Sequence, residues 1–289
     1  MIELEDVPEL NNPVMIAAFE GWNDAGDAAS AVVEHLIDLW EAEPVAALDP
    51  EDYYDFQVNR PRVVIDGGKR RISWRTTRIL IATDTPLGRD VVLVHGVEPS
   101  FRWRAFAIEL MEFAQSADVE LVLTLGALMA DVAHTRPIPV TATSDQEEVR
   151  HRYDVELSGY EGPTGIVGVL ADAAVQVGIP SVSAWAAIPH YAGHTPSPKA
   201  TAALLSRLES LLDAPIDHAD LDEDARAWQR GVDELAAGLV AAAEEGVGRA
   251  ADAQAGGAGG FHQALAVGEA DAERLFRVDV LAGGERGEA

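Results

Sequence analysis

The 289-residue sequence contains no cysteine. Disulfide frameworks, thiolate metal sites, iron–sulfur clusters and cysteine nucleophiles are therefore excluded. Lysine is nearly absent too, because all but two of the 21 basic residues, Lys69 and Lys199, are arginines. Schiff-base catalysis needs lysine, and ATP-dependent ligases use lysines to hold phosphate. With only two lysines, the chain has little capacity for either kind of chemistry.

Positive charge as a whole is scarce. There are 49 acidic residues against the 21 basic ones, which gives a formal net charge of −28. Such a charge repels phosphate backbones and anionic lipid surfaces, so we expect neither a nucleic-acid partner nor a membrane partner. No apolar run approaches the roughly 20 residues of a membrane span, and residues 1–6 lack the pattern of a signal peptide. We expect a cytoplasmic protein.

Short apolar runs, typical of buried strands, alternate with segments of helical spacing. The predicted buried strands cover residues 14–19, 90–97, 119–125 and 179–188. The predicted helices between and after them cover residues 28–41, 102–116 and 165–177, and a last one that Pro196-Ser197-Pro198 opens runs to about residue 212. This alternation predicts parallel βαβ units, and hence a three-layer α/β/α sandwich with a mostly parallel sheet.

Shorter β-type segments lie between the first helix and the second buried strand. We predict strands over residues 45–48, 52–56, 62–65, 71–74 and 78–82. Gly67 and Gly68 separate two of these segments, and this pair is typical of a hairpin turn.

The composition changes after the last of these α/β units. We predict a core over residues 1–214, a helical extension over residues 215–245, and a partly flexible Gly/Ala-rich linker with a terminal helix over residues 246–289.

The loops that follow parallel strands are the usual places for function. The first, over residues 20–27, has two glycines and leads into a helix N-terminus, where free N–H groups could hold an anion. Its candidate ligand-binding residues are Gly21, Trp22, Asn23, Asp24 and Gly26. The alternative is a structural turn in which Asn23 or Asp24 caps the helix, and we favour it because the acids of the loop oppose phosphate.

Two later loops supply further candidates for ligand binding. Gly126 ends one predicted strand, and Thr164 and Gly165 introduce a helix. Thr164 could bind an oxyanion or cap that helix, and capping is the commoner role.

Acid–base groups also fall at strand ends. His95, His134, His190 and His194 lie in or near such loops, and His95 is followed closely by Glu98. The spacing of His190 and His194 would suit a metal on a helix, but the glycine and prolines around them favour a loop, so we expect no metal site. If the protein is an enzyme, His95, Glu98 and His190 are the candidate catalytic residues.

Several of these segments together resemble one family. The run VMIAAFEGWNDAG at residues 14–26 resembles the N-terminal signature of the PAC2 family, the relatives of proteasome assembly chaperones. Matches follow in order at RDVVLVHGVEP (89–99), with the Arg102-Trp103 pair of the actinobacterial branch, at YEGPTGI (160–166) and at SAWAAIPHY (183–191). The resemblance covers about residues 10–240. It implies an α/β/α core similar to purine nucleoside phosphorylases, a homo-oligomer and a proteasome-related protein partner. We expect no cofactor.

Two hypotheses for the function follow. In the first, the protein is an oligomeric assembly factor or adaptor that acts through its surface. In the second, it is a small-molecule enzyme, phosphorylase- or hydrolase-like or a ligase of the ATP-grasp type with which some relatives are labelled, and its site lies at the strand ends. The scarcity of lysine opposes the ligase, and we prefer the first hypothesis.

Overall fold

The computed structural model describes residues 2–3 and 7–255. This part of the chain divides into a unit that extends to Trp228 and a second unit that begins at Gln229. Among the described helices, none combines the length and the apolar character needed to cross a membrane.

The first unit is built on an eight-stranded sheet with strand order β1-β3-β6-β7-β2-β8-β10-β9. Its strands are β1 (Ile2–Glu3), β2 (Val14–Glu20), β3 (Glu43–Ala47), β6 (Arg78–Ala82), β7 (Val91–Val97), β8 (Leu121–Ala130), β9 (Val140–Thr143) and β10 (Ser181–Pro189). The four central strands β7, β2, β8 and β10 are parallel. The outer pairings, including β6 on β7 and β9 on β10, are antiparallel. The central strands are apolar on both faces, as expected for strands covered by helices on both sides.

Helices cover both faces of this sheet. They are α1 (Ala28–Leu39), α2 (Pro50–Tyr53), α3 (Trp103–Ser116), α4 (Glu147–Tyr153), α5 (Ile166–Gln176) and α6 (Pro198–Leu212). A further helix, α7 (Leu221–Ala255), begins in this unit and continues into the second. Leu36 of α1 and Leu208 of α6 belong to the core on one face, and Phe106 of α3 and Leu170 of α5 belong to the core on the other. The predicted three-layer α/β/α sandwich is confirmed.

The predicted hairpin is also present. β4 (Arg62–Asp66) and β5 (Lys69–Ser73) pair with each other in a separate two-stranded sheet, and Gly67 and Gly68 form the turn, both with positive φ. Glycine adopts this backbone conformation without steric cost, which explains the pair at this position.

The strand predicted over residues 52–56 is wrong. This segment holds the end of α2, whose N-cap is Asp49: its carboxylate accepts a hydrogen bond from the N–H of Glu51, and Pro50 follows at the first helical turn. Aspartate at the N-cap and proline at N1 are strong signals for a helix start. The buried side chains of Tyr53 and Tyr54 gave the segment its strand-like apolar character.

Two further helices differ from the prediction. α4 was not predicted, because six of its seven residues are charged or aromatic and Val149 is its only buried residue. α7 continues to Ala255, ten residues past the predicted end at residue 245. The linker and terminal helix predicted over residues 246–289 lie outside the described residues from residue 256 onward.

Candidate functional site

The loop between β2 and α1 uses Asp24 to cap the helix. The Asp24 carboxylate accepts hydrogen bonds from the N–H of Ala29 (2.6 Å) and the N–H of Ser30 (3.3 Å), and from the Ser30 hydroxyl. Burial raises the pKa of Asp24 to about 6, against the lowering effect of these hydrogen bonds. The free N–H groups at the start of α1 are therefore bound by a carboxylate of the protein itself. This agrees with the interpretation of the loop as a structural turn rather than as an anion site.

Asn23 points in another direction and joins two more loops. It is fully buried, and its Nδ2 donates to Glu98 Oε1 at 2.6 Å. The same Glu98 oxygen accepts from the N–H of Ile166 at 2.9 Å, at the first residue of α5. Glu98 thus fills the N-terminus of α5 as Asp24 fills that of α1, although 68 residues separate Glu98 from Ile166.

Gly165 is required where this network meets α5. A Cβ atom at Gly165 would lie 1.9 Å from Asn23 Oδ1, so no larger residue fits without displacing Asn23. Within the described chain that Oδ1 atom is buried and has no hydrogen-bond partner. The structure therefore brings together Asn23, Glu98 and Gly165, three of the candidate residues, in a cluster that we call the strand-end network (Asn23, Glu98, Gly165 and the N–H of Ile166).

Gly126 has a packing role in this structure. It lies beside Trp185 in the register of β8 and β10, and a Cβ atom there would lie 2.6 Å from the indole ring. Thr164 is exposed, and its hydroxyl lies over Gly168 on α5, where a Cβ atom would be 2.2 Å away. The capping role considered for Thr164 is performed instead by Glu98.

Gly21 and Gly26 shape the first loop. Both have positive φ, at 116° and 60°. Gly26 also donates its N–H to the carbonyl of Gly193 at 2.9 Å and accepts from the N–H of Ser197 at 2.8 Å, which ties the loop to the segment before α6. Glycine is required at these two positions because other residues adopt a positive φ only with strain.

The three candidate acid–base residues have separate surroundings. His95 is buried on β7, and its Nε2 lies 3.8 Å from a Glu34 carboxylate oxygen, too far for a hydrogen bond. Burial lowers the pKa of His95. Glu98 belongs to the strand-end network, and His190 is exposed with its ring 5.4 Å from the ring of Tyr191. Among the described residues no hydrogen bond links any two of the three, and no group of three or more His, Asp and Glu is placed to hold a metal ion.

A cleft of about 390 Å³ lies between α5, the central strand β10, the edge strand β9, and the loop before α5. Its lining includes Trp22, Tyr160, Thr164, Ser181, Ser183 and Trp185. The Ser181 hydroxyl is buried and has no hydrogen-bond partner within the described chain. The cleft was not predicted, although the alternation of Ser181, Ser183 and Trp185 along β10 was a signal, since two serines are unusual on a strand face meant to be covered.

Large apolar side chains are exposed at the carboxyl end of each central strand. Trp22 follows β2 and is 64% exposed, Phe101 follows β7 at 52%, Leu128 and Met129 at the end of β8 are each 44% exposed, and Tyr191 follows β10 at 41%. Trp22 and Leu128 line the same cleft. We call these five residues the apolar rim. Single exposed apolar residues are ordinary, but a set along one edge of four adjacent strands is typical of an interaction surface.

The PAC2 family model matches residues 18–236. The chain belongs to the PAC2 family. Among solved structures, this PAC2 protein is similar to a PAC2 family protein from Streptomyces avermitilis, with 56% identity and a TM-score of 0.76 over 79% of this chain and 98% of the other. It is also similar to a proteasome-assembly chaperone homologue from Mycobacterium tuberculosis, with 48% identity and a TM-score of 0.70 over 76% and 94% of the two chains.

More distant structures share the fold of this PAC2 protein. PbaB of Pyrococcus furiosus, an archaeal proteasome activator, is 19% identical with a TM-score of 0.65 over 81% of this chain and 97% of that one. No curated protein matches the sequence.

Proposed function

We propose that this PAC2 protein is an assembly factor or adaptor that binds a protein partner through its apolar rim, and that the partner is related to the proteasome. The rim is the observation that carries the proposal, because it occupies the edge of the parallel sheet at which α/β proteins place their functional groups. Trp22, the most exposed member, resembles the aromatic anchors that dominate protein–protein interfaces.

The kind of partner follows from the relatives. The Mycobacterium tuberculosis protein that is 48% identical is named for proteasome assembly, and PbaB is named as a proteasome activator. We carry the first name to this chain because of its high identity over most of both chains, and we expect the rim to contact the proteasome subunits that such a factor would assemble.

The polar groups of the same edge support this proposal over an enzyme. Asp24 and Glu98 occupy the two helix N-termini at which a substrate anion would bind, so a phosphate there would meet two carboxylates. Lys199 donates to the backbone carbonyl of His134 at 2.6 Å, and Lys69 lies on the exposed hairpin. Neither lysine is therefore a good candidate for the phosphate-binding lysine that the ligase hypothesis requires.

The cleft favours one second candidate function. Its apolar aromatic walls, with the buried Ser181 hydroxyl, would suit a small neutral ligand of a hydrolase-like or phosphorylase-like enzyme. Under this alternative a metabolite of that kind would raise the melting temperature of the protein by several degrees.

The test is binding to purified α-type and β-type proteasome subunits from the same organism, measured by biolayer interferometry. We expect Trp22→Ser combined with Leu128→Ser to weaken binding at least about tenfold, since loss of a buried aromatic anchor typically costs more than about 1.4 kcal/mol. The matched control is Ile108→Ser on α3, which removes an apolar side chain that is 55% exposed away from the rim.

Two results would overturn the proposal. One is an absence of binding by the wild-type protein to every subunit preparation, combined with a metabolite that stabilises it. The other is equal binding by the wild-type protein and the rim variant.

A further inference from the structure

Charge is distributed very unevenly along this acidic chain. Residues 1–59 contain no lysine or arginine, and residues 60–78 then contain seven of the 21 basic residues beside one acid, Asp66. That segment has a net charge of +6, against −34 for the rest of the chain. It includes both strands of the hairpin β4–β5.

The hairpin also carries an uncovered apolar face. Val63 pairs with Ile72 and Ile65 pairs with Arg70, and residues paired in this way point to the same side of a ribbon. Val63, Ile65 and Ile72 are 51%, 71% and 51% exposed. A two-stranded hairpin with an exposed apolar face is only marginally stable alone in water, so contact with another surface would stabilise it.

The base of the hairpin is fixed to the core while its tip is free. Phe56 and Trp74 form an edge-to-face contact at 4.7 Å between ring centroids, next to the end of β5. Arg71 pairs with Asp66 inside the hairpin. Within the described chain, Lys69 and Arg70 at the tip form no ion pair, so their charges are available to a partner.

The complementary charge lies on the other layer of the same molecule. α1 carries no lysine or arginine, and the segment over residues 208–225 carries none either. A hydrogen bond of 2.7 Å between His35 Nε2 and the carbonyl of Asp217 holds the two together. The exposed acids on α1, at its C-terminal end and on the segment include Glu34, Asp38, Glu41, Asp217, Asp220 and Asp222. We call this set the acidic face.

We propose that the β4–β5 hairpin of one copy docks onto the acidic face of a second copy of this chain. Two copies with a net charge of −28 repel each other at long range. Contact between two copies therefore needs a local region of positive charge. The hairpin is the part of the chain in which positive charge is concentrated. Docking would pair the free tip charges and cover the apolar face, so both features of the hairpin have one explanation.

The geometry of such a contact has a consequence for the assembly. The hairpin and the acidic face are different surfaces, so the contact is head-to-tail, and repeated contacts form a closed ring or an open chain. This inference is independent of the apolar rim, because the rim residues belong to neither surface.

The test uses the full chain and two neutralising or polar variants. The hairpin variant is Ile65→Ser with Lys69→Gln and Arg70→Gln, and the face variant is Asp38→Asn with Glu41→Gln and Asp220→Asn. A matched control, Glu112→Gln with Asp118→Asn and Glu148→Gln, neutralises three exposed acids elsewhere. Sedimentation velocity measures the assembly size, and circular dichroism verifies that each variant is folded.

We expect the wild type and the control to associate at about 0.05 M NaCl and to dissociate at about 0.5 M NaCl, since exposed charges are screened over shorter distances at higher salt. Each variant alone should be monomeric. A mixture of the two should form two-copy complexes and no larger species, because one intact hairpin can still meet one intact acidic face. A wild-type monomer at low salt, or association that neither folded variant weakens, would overturn the proposal.

Discussion

The strand-end network and the β4–β5 hairpin use polar residues in opposite ways. In the network, Asn23 and the N–H of Ile166 both donate to Glu98, and the nearby N-terminus of α1 is bound by Asp24. In the hairpin, Lys69 and Arg70 at the tip form no ion pair within the described chain. Carboxylates that accept hydrogen bonds from backbone N–H groups of the same chain hold loops in place. Charged side chains without a partner in their own chain are available to another molecule.

The largest effect should come from removing the buried charge of Asp24. Its pKa is raised from 3.8 to about 6 in the folded protein, so the folded state binds more protons than the unfolded state between those values. Its contribution to stability is therefore highest below about pH 4 and is lost as the pH rises through about 6. The shift is worth about 3 kcal/mol at most.

Asp24→Asn removes this titration while keeping a side-chain oxygen for the α1 N–H groups. We expect the free energy of unfolding of the variant, relative to the wild type, to rise by up to about 3 kcal/mol between pH 4 and pH 7. Urea unfolding at each pH measures it. A difference between the two proteins that does not change with pH would show that Asp24 is not perturbed by burial.

The next largest effect is expected at Gly165. The added Cβ of Gly165→Ala would displace Asn23 and so break its hydrogen bond to Glu98. We expect a loss of between about 2 and 3 kcal/mol in the free energy of unfolding. Gly159→Ala is the control, because a Cβ atom there meets no atom within 4 Å. Equal stability of the two variants would contradict the close packing of the network.

Variants of Glu98 test whether this residue has a structural role or a catalytic one. Glu98→Ala leaves the Asn23 amide and the Ile166 N–H without their acceptor, which should cost about 1–2 kcal/mol. Glu98→Gln keeps an oxygen acceptor and should lose less. Thermal unfolding of both variants provides the comparison, and full stability of the alanine variant would remove Glu98 from the network.

The sequence predicted what depends on local signals. The βαβ alternation, the Gly67-Gly68 turn and the structural turn over residues 20–27, with Asn23 or Asp24 as its cap, involve residues close together in the chain. The link between Glu98 and α5 could not be predicted, because 68 residues separate its two ends and several side chains could have satisfied that N–H group. The two adjacent buried tyrosines, Tyr53 and Tyr54, concealed α2, although Asp49 and Pro50 carried the correct signal.

The candidate site was predicted in part for the same reason. Parallel strands end at one edge, so Asn23, Glu98 and Gly165 had to lie near each other. The roles of these residues depend on side-chain directions, and the direction of His95 toward α1 is set by the alternation along β7 rather than by its position in a motif. Charge segregation between residues 1–59 and 60–78 was present in the sequence, but the exposure of the hairpin required the structure.

The smallest effect on stability is expected for the apolar rim. The most direct test is to change the apolar rim and the polar strand-end network in separate variants. The Trp22→Ser/Leu128→Ser variant and the Glu98→Gln variant are compared for proteasome-subunit affinity under conditions where both are folded. We expect the rim variant to keep its stability to within about 0.5 kcal/mol and to lose affinity at least about tenfold, while Glu98→Gln keeps its affinity. Undiminished affinity in the rim variant, with a loss in Glu98→Gln, would contradict the claim that the apolar rim binds the partner and that the polar network only holds the loops.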